Sequence, residues 1–332
     1  MSLTQKVFIS GATGFIGSKI AIKLAGKGAI IHALYRSREK TKILNQPNIK
    51  LFRGDLTDPE SIQKAMFGCC QAYHVAALAD VWAKDPDAMY RSNVTGTQNV
   101  IRAALETGIK KIVHTSTAGV FSPSCDCVID ENCPAGPSHF TEYDQSKAIA
   151  EDYVLKMARQ GVNIVTVNPT RVFGPGLMNR SNCITILMKL YREGKWRFLP
   201  ENGKNIGNYA FIEDVVEGHI AAMEKGRAGE RYILGGENIS YHDFFNLLGA
   251  IGGKKQSMIK VPLFFMLRIS NTAVFLANTF GLRPALTPQL VRKIHQNWEV
   301  SSAKAVREIG YQITPLETAV KITFDWLKTI KN

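Results

Sequence analysis

The sequence predicts an α/β protein with a doubly wound parallel sheet and a smaller, mostly helical C-terminal lobe. Short runs of β-branched and aromatic residues alternate with helical-period segments through the first half of the chain, which is typical of parallel sheets covered by helices. A strand, a glycine-rich turn and a helix follow one another at the start. With 332 residues and 45% hydrophobic residues, the chain is long enough for one large domain and a second region.

Six strands and four helices are predicted in order. The first strand, 6–10, precedes a helix over 15–25, and a second helix opens at Pro59. Apolar residues at helical spacing predict one long amphipathic helix over 86–107, and a further helix carries Tyr143 and Lys147. The remaining predicted strands are 29–35, 48–52, 71–77, 110–116 and 161–167. Because ligands of such sheets bind beyond the carboxyl ends of the strands, we expect Gly11, Asp55, Ala76 and Thr117 to gather there.

The glycine-rich turn predicts a dinucleotide site. Between a strand and a helix, unpaired backbone N–H groups and the positive end of the helix dipole face a pyrophosphate, and glycines allow its close approach. This context favours a Rossmann-type sheet over a turn without a ligand. The cofactor-binding residues predicted here are Gly11, Thr13, Gly14, Phe15, Ile16 and Gly17.

The end of the second predicted strand favours NADP(H) over NAD(H). NAD enzymes usually place an acidic residue there on the ribose 2′-hydroxyl, whereas this chain has Tyr35-Arg-Ser-Arg38. The guanidinium groups of Arg36 and Arg38 match a phosphate. The alternative is that both arginines are solvated loop charges.

Tyr143 and Lys147 are four residues apart and share one helix face. The ammonium of Lys147 is expected to favour the ionised phenol of Tyr143 and so to lower its pKa. Such a tyrosine gives a proton to a carbonyl oxygen or takes one from an alcohol. With the glycine turn, this pair predicts hydride transfer on a nicotinamide dinucleotide, with Tyr143 as the acid/base.

The net charge of +13 raises the question of a nucleic-acid or membrane partner. Lys and Arg are scattered, without the basic tracts of a nucleic-acid groove, so no nucleic-acid partner is expected. The stretch 258–282 is apolar, but Lys260, Pro262, Arg268, Asn271 and Asn278 interrupt it as a membrane span. We favour its burial as helices over a lipophilic substrate pocket, with peripheral membrane contact as the less favoured alternative. The pocket or plain core would hold Phe264, Phe265, Met266, Phe275 and Leu276.

The six cysteines and the lack of a recognisable leader segment predict reduced thiols and a cytoplasmic location. Cys125, Cys127 and Cys133 share one predicted loop, but their spacing matches no common zinc pattern. No metal site is therefore expected.

Seven sequence blocks follow one another along the chain. They are Gly11-x-x-Gly14-x-x-Gly17, Gly54-Asp-Leu-Thr-Asp58, His74-Val-Ala-Ala77, Asn93-Val-Thr-Gly-Thr97, His114-Thr-Ser-Thr117, Tyr143-x-x-x-Lys147 and Asn168-Pro-Thr-Arg-Val-Phe-Gly-Pro-Gly176. In this order they resemble the extended short-chain dehydrogenase/reductases, the superfamily of the NAD-dependent epimerases and dehydratases. The resemblance runs nearly end to end.

The resemblance implies further site residues. Alignment on Ala118-Gly119 places the catalytic hydroxyl at Thr117, with Ser116 as the near alternative, and it would hydrogen-bond the substrate oxygen. Lys147 would also bind the nicotinamide ribose, and Asn93 would support Lys147 through a water relay, with a helix polar residue as the alternative interpretation of Asn93. Asp55 would face the adenine. Other implied cofactor contacts are Leu56, Ala76, Ala77, Pro169 and Val172.

The second half resembles the dihydroflavonol-reductase-like and 3β-hydroxysteroid-dehydrogenase-like branch, through blocks such as Tyr209-Ala-Phe-Ile-Glu-Asp214 and Ser302-Ala-Lys-Ala-Val-Arg-Glu-Ile-Gly-Tyr311. That branch interconverts ketones and secondary alcohols on largely apolar molecules. Nucleotide-sugar enzymes usually carry an arginine on the diphosphate where this chain has Gly207, which disfavours such a substrate. The residues that would substitute for it are Arg180, Lys195 and Arg197.

The predicted function is therefore an NADP(H)-dependent oxidoreductase acting on a largely apolar small molecule. The alternatives are a nucleotide-sugar epimerase or dehydratase and a non-catalytic regulatory protein that binds the cofactor. The predicted domains are a dinucleotide-binding domain at 1–173, with 207–234 returning to it, and a substrate lobe at 174–206 and 235–332. The resemblance also implies a homodimer through the helix of Tyr143.

Overall fold

The computed structural model describes residues 5–80, 82, 85–124, 127–134, 139–284 and 286–330. Its strands are β1 (Lys6–Ser10), β2 (Ile30–Tyr35), β3 (Ile49–Arg53), β4 (Gln71–His74), β5 (Lys111–Thr115), β6 (Ile164–Pro169), β7 (Arg171–Phe173), β8 (Phe198–Pro200), β9 (Ile206–Phe211), β10 (Arg231–Leu234), β11 (Glu237–Ser240) and β12 (Ile259–Val261). Its helices are α1 (Phe15–Gly26), α2 (Pro59–Met66), α3 (Pro86–Tyr90), α4 (Gly96–Glu106), α5 (Glu142–Arg159), α6 (Cys183–Arg192), α7 (Ile212–Lys225), α8 (Tyr241–Gly252), α9 (Leu263–Phe280), α10 (Pro288–Ile294), α11 (Ala303–Ile309) and α12 (Leu316–Thr329).

Seven strands form one parallel sheet in the order β10-β6-β5-β4-β1-β2-β3. The predicted doubly wound sheet is thus confirmed. All six predicted strands are present with ends shifted by up to three residues, and β10 adds a seventh. The chain leaves the centre of the sheet in opposite directions from β1, so the ends of β1 and β4 border the position where ligands of such sheets bind. We call the ends of β1 to β6 the carboxyl edge.

Helices cover both faces of this sheet. Val7 and Ile9 of β1 belong to a core cluster that includes residues of α1 and α7, whereas Phe8 points to a second cluster with α2, α4 and α5. The alternation follows from the period of two in a strand. Asp58 caps α2 by accepting a hydrogen bond from the backbone N–H of Ser61, as the opening at Pro59 predicts.

The helix predicted over 86–107 is continuous but not regular. A single π turn, Arg91–Thr95, separates α3 from α4. Such turns occur frequently at functional sites. Asn93, one of the candidate site residues, lies in this turn and is buried.

The C-terminal half adds two small sheets and most of the remaining helices. β9 lies between β7 and β11 in a three-stranded sheet, and β8 pairs with β12. Of the segment 207–234, β9 therefore belongs to the small sheet, whereas β10 joins the large sheet and α7 packs on it.

Helix α9 departs from the favoured sequence interpretation. Only Ser270 and Ala277 of its residues are buried, and α9 packs on α10. Phe264, Phe265, Phe275 and Leu276 are exposed and Met266 is half-buried, so their assignment to the core is wrong. A helix that packs on its neighbour through one narrow face leaves the opposite face in solvent, even where that face is apolar.

Candidate active site

The glycine turn has the geometry of a phosphate cradle. Gly11 has a φ of 72°, and a Cβ atom at this position would lie 2.6 Å from the backbone nitrogen of Ala76. A Cβ atom at Gly17 would overlap the carbonyl oxygen of Gly11. Gly14 is the N-cap of α1 and makes no side-chain cap, so the first N–H groups of α1 remain available to a ligand. These residues fit a dinucleotide pyrophosphate.

The neighbouring cofactor-binding candidates lie around this turn. Thr13 and Ile16 are half-buried and Phe15 is buried; Ala76 and Ala77 follow β4 and are half-buried. The N–H of Ala76 donates a 3.3 Å hydrogen bond to Ser10, the last residue of β1. Leu56 is buried beyond β3, Pro169 ends β6, and Val172 is buried in β7.

Arg36 and Asp55 meet at the far end of the carboxyl edge. They follow β2 and β3, and Nη1 of Arg36 lies 3.7 Å from Oδ2 of Asp55. Burial opposes ionisation of Asp55, but hydrogen bonds from the backbone and hydroxyl of Thr57, together with the Arg36 charge, hold the pKa of its carboxyl below the usual value. Arg36 and Arg38 are both exposed.

Tyr143 and Lys147 lie near the N-terminus of α5, on the same side. Thr141 caps the helix by accepting a hydrogen bond from the N–H of Asp144. Tyr143 is half-buried, whereas Lys147 is 1% exposed. The turn at 118–120, directly after Thr117, packs on this end of α5. The chain therefore brings the helix of Tyr143 and Lys147 against the segment that carries Ser116 and Thr117, although Tyr143 and Ser116 are 27 residues apart.

Lys147 is a buried cation held by the backbone of β5. Its Nζ donates a 2.7 Å hydrogen bond to the carbonyl of Thr115 and lies 3.5 Å from Nε2 of His114. Burial lowers the pKa of Lys147 to about 8, against the opposing charge of Glu151. Burial and the Lys147 charge also hold the pKa of His114 well below its usual range, so this imidazole is neutral.

The expected acidification of Tyr143 does not occur in this structure. Its pKa is raised, first by burial and then by the negative charge of Asp144. Removal of the phenol from water disfavours its charged form. The phenol of Tyr143 therefore retains its proton at neutral pH.

Two hydroxyls lie at the end of β5. Ser116 is 4% exposed, and its Oγ has no hydrogen-bond partner among the described residues. Thr117 is half-buried, and its Oγ1 accepts a 3.2 Å bond from the N–H of Gly119, which leaves its proton free to donate. Both remain candidates to orient a substrate oxygen.

Asn93 joins the π turn before α4 to α5. Its Oδ1 accepts a 2.7 Å hydrogen bond from the N–H of Leu78, and its Nδ2 donates to Ser146, one residue before Lys147. Its direct contacts therefore position the segment after β4 against the helix of Lys147. The predicted water relay from Asn93 to Lys147 stays a prediction.

Sequence reasoning did not identify three buried polar residues behind Lys147 as site residues: His74, His114 and Glu151. His74 bonds Ser10 through Nδ1 at 2.7 Å and Thr97 through Nε2 at 2.9 Å, and its ring centroid lies 5.3 Å from that of His114. Glu151 accepts a 2.8 Å bond from Asn168. Spacing could have revealed Glu151, because it follows Lys147 by one more helical turn on the face of Tyr143.

Arg171 was also missed as a candidate. It is the first residue of β7 and pairs in register with Tyr209 of β9. Its guanidinium lies 5.6 Å from the ring centroid of Tyr209 and 5.0 Å from that of Tyr241, and no described carboxylate pairs with it. A Cβ atom at Gly207 would overlap Nη1 of Arg171. Arg171 thus occupies the space beside the glycine that stands where nucleotide-sugar enzymes usually carry arginine.

The residues expected to substitute for that arginine are engaged elsewhere. Arg180 pairs with Asp80 and Lys195 with Glu193, whereas Arg197 donates to the carbonyl of Gly194.

Of the predicted cysteine loop, Cys127 is exposed and Cys133 half-buried, whereas Cys125 lies outside the described residues. The described part of the chain holds no group of three or more side chains arranged to ligate a metal.

A parallel sheet with a glycine cradle at its carboxyl edge and a tyrosine–lysine helix beside it defines an NAD(P)-dependent oxidoreductase. The chain belongs to the NAD dependent epimerase/dehydratase family, whose model matches residues 7–235. The superfamily predicted from the seven blocks is thereby confirmed.

Three known proteins show how far the likeness extends. A Synechocystis sp. protein that carries a dihydroflavonol 4-reductase name is 31% identical over 99% of this chain and 96% of its own length. The 3beta-hydroxysteroid-dehydrogenase/decarboxylase isoform 1 of Arabidopsis thaliana is 30% identical over 88% of this chain and 71% of its own. A crystal structure of gox2253 has 32% sequence identity and a TM-score of 0.83, covering 98% of both chains. The similarity to the dihydroflavonol-reductase-like and 3β-hydroxysteroid-dehydrogenase-like branch is thus confirmed.

Proposed function

We propose that the protein interconverts a ketone and a secondary alcohol on a largely apolar, sterol-like substrate, with NADP(H) as the cofactor. The observation that carries the proposal is the hydrogen bond from the buried Lys147, one helical turn after Tyr143, to the carbonyl of Thr115, which directly precedes Ser116 and Thr117. The 3β-hydroxysteroid name of the Arabidopsis relative supports the substrate class.

Residues of this chain donate the proton to the substrate oxygen and stabilise the charges that form. A bound nicotinamide dinucleotide supplies or accepts the hydride. Tyr143 keeps its proton at neutral pH because burial raises its pKa, and it donates this proton to a carbonyl oxygen that gains negative charge. Ser116 or Thr117 donates a hydrogen bond to the same oxygen, and the charge of Lys147 stabilises the phenolate that Tyr143 becomes.

The preference for NADP(H) rests on Arg36 and Arg38. Both are exposed at the end of β2, and one carboxylate, Asp55, faces Arg36 at 3.7 Å from the neighbouring strand. A ribose 2′-phosphate would add the negative charge that two guanidinium groups accept. NAD(H), which has a free 2′-hydroxyl instead of the phosphate, gains less binding free energy from Arg36 and Arg38.

Arg171 favours a second candidate, a nucleotide-sugar epimerase. A guanidinium beside two tyrosines and without a described carboxylate partner suits a phosphate or carboxylate of a substrate. The missing arginine at Gly207 therefore argues less strongly against an anionic substrate than the sequence alone suggested.

One assay separates the two candidates. NADPH absorbance is followed with steroid ketones, long-chain ketones and UDP-glucose. Oxidation of NADPH with a ketone supports the reductase. Conversion of UDP-glucose without net NADPH oxidation supports the epimerase and contradicts the reductase. Arg171→Met should raise KM only for substrates with an anionic group, and Arg180→Met is the matched control.

A further inference from the structure

Helix α9 exposes a broad, largely apolar face. Its residues other than Ser270 and Ala277 are not buried, and it is the one helix in the described part of the chain that is long and apolar enough to cross a membrane, with a mean hydropathy of 1.3. A patch of this size on a soluble protein usually marks an interaction site. The exposed fractions are 58% for Phe264, 58% for Phe265, 61% for Ile269, 66% for Phe275, 38% for Leu276 and 68% for Phe280.

These six residues share one side of the helix. At 100° per residue they fall within an arc of about 160°. Ser270 and Ala277 point the other way, towards the side on which α9 meets the rest of the protein. A helix packed along one side lies flat on any surface that it contacts, so it does not span a bilayer in this conformation.

Polar groups within the apolar face are satisfied internally. The hydroxyl of Thr272 donates a 3.1 Å bond to the carbonyl of Arg268, and that of Thr279 donates a 2.9 Å bond to the carbonyl of Phe275. The guanidinium of Arg268 lies 4.8 Å from the ring centroid of Phe264. Bonds within the helix reduce the cost of moving these hydroxyls out of water, and a long arginine side chain reaches back to the polar interface.

The segment around α9 is strongly basic. From Phe244 to Trp298 the sequence has no Asp or Glu, and this stretch of 55 residues carries a formal charge of +7, more than half of the net charge of +13. Five of its basic residues flank or belong to α9 and are exposed: Lys254, Lys255, Lys260, Arg268 and Arg283. No described carboxylate pairs with them. Exposed aromatic side chains next to unpaired cations match the surface of an anionic bilayer.

We propose that α9 docks the protein flat on an anionic membrane surface, with its aromatic face in the headgroup region and the flanking Lys and Arg residues on lipid phosphates. A second copy of the chain is disfavoured as the occupant, because two faces that both carry exposed Lys and Arg residues would repel.

Helix α9 is linked to the catalytic helix through α10. α9 packs on α10, and Lys293 in the last turn of α10 donates 2.7 Å bonds to both carboxylate oxygens of Asp144, the neighbour of Tyr143. A lipophilic substrate would therefore reach Tyr143 from the membrane side. This consequence rests on the proposed function, whereas docking itself does not.

The test is sedimentation with vesicles in the absence of substrate and cofactor. The full-length protein should bind phosphatidylglycerol vesicles at least about tenfold more tightly than phosphatidylcholine vesicles, and added salt should weaken this binding. Phe265→Asp combined with Phe275→Asp should abolish binding, whereas Phe67→Asp, at a phenylalanine that is 78% exposed beyond α2, should not.

Far-ultraviolet circular dichroism and NADPH affinity show whether each variant is folded. Equal binding by the double variant, or no binding by the unaltered protein, overturns the proposal. A dimer in light scattering that the double variant dissociates, without vesicle binding, assigns the face to a second copy instead. Vesicle binding without ketone reduction leaves docking intact and contradicts only the proposed function.

Discussion

The ammonium of Lys147 donates a 2.7 Å hydrogen bond to the carbonyl of Thr115. This bond joins α5 to the end of β5, and Ser116 and Thr117 follow directly. The bond of a buried cation thereby links the helix of Tyr143 to the strand that leads into both hydroxyls. Lys147 accordingly has a structural role in the site beside its proposed role towards the cofactor.

Ketone reduction should fall as the pH rises through about 8. Burial lowers the pKa of Lys147 to about 8, so its stabilising charge is lost above that pH. We expect kcat/KM to decrease about tenfold per pH unit there, measured by NADPH oxidation. Lys147→Arg keeps its positive charge in this pH range, so its kcat/KM should not decrease there. The same decrease in that variant would contradict the assignment.

The lowered pKa of Lys147 makes the free energy of unfolding depend on pH. The unfolded chain keeps the ordinary lysine value of 10.5, so between about pH 8 and 10.5 the unfolded state binds more protons than the folded state. The contribution of Lys147 to the free energy of unfolding therefore increases with pH in that window. Urea denaturation at several pH values, compared with Lys147→Met, measures this slope, which should be absent in the variant.

Replacing Tyr143 with Phe should reduce turnover by a factor of roughly 10²–10⁴ and leave the Kd for NADPH nearly unchanged. Phenylalanine keeps the aromatic ring but lacks the hydroxyl proton that Tyr143 donates. Tyr153→Phe is the matched control, because Tyr153 lies on α5 and packs in the core. Retention of most activity by Tyr143→Phe would refute the acid/base assignment.

Arg36→Ala combined with Arg38→Ala should raise the KM for NADPH by roughly tenfold and change that for NADH much less. The affected contact is the one to the 2′-phosphate. Arg102→Ala, at an exposed arginine on α4, controls for the loss of positive charge. An equal effect on both cofactors would show that the arginines act only through general electrostatics.

Two glycines of α1 provide a matched pair. Gly17→Ala should destabilise the protein by about 1–3 kcal/mol and abolish NADPH binding, because its Cβ atom would overlap the Gly11 carbonyl. A Cβ atom at Gly26 would meet nothing within 4 Å, so Gly26→Ala should stabilise the folded protein by about 0.5–1 kcal/mol. Thermal denaturation and NADPH titration measure both effects, and similar results for the two variants would contradict the close approach at Gly17.

Local sequence patterns predicted the parallel sheet and much of the site. The glycine turn, the capped start of α5 and the spacing of Tyr143 and Lys147 depend on neighbours a few residues away, so they can be read along the chain. The strands ended within three residues of their predicted limits because each is a short apolar run bounded by polar or turn residues.

Other features depend on contacts between distant residues. Arg171 lies beside Gly207 only because β7 pairs with β9, and the pKa of Tyr143 is raised because folding removes it from water. The sequence by itself determined the sheet, the cradle and the residue types at the site. Tertiary structure decided the protonation of Tyr143 and Lys147 and the exposure of α9, because desolvation and packing depend on which surfaces meet, and composition does not specify that.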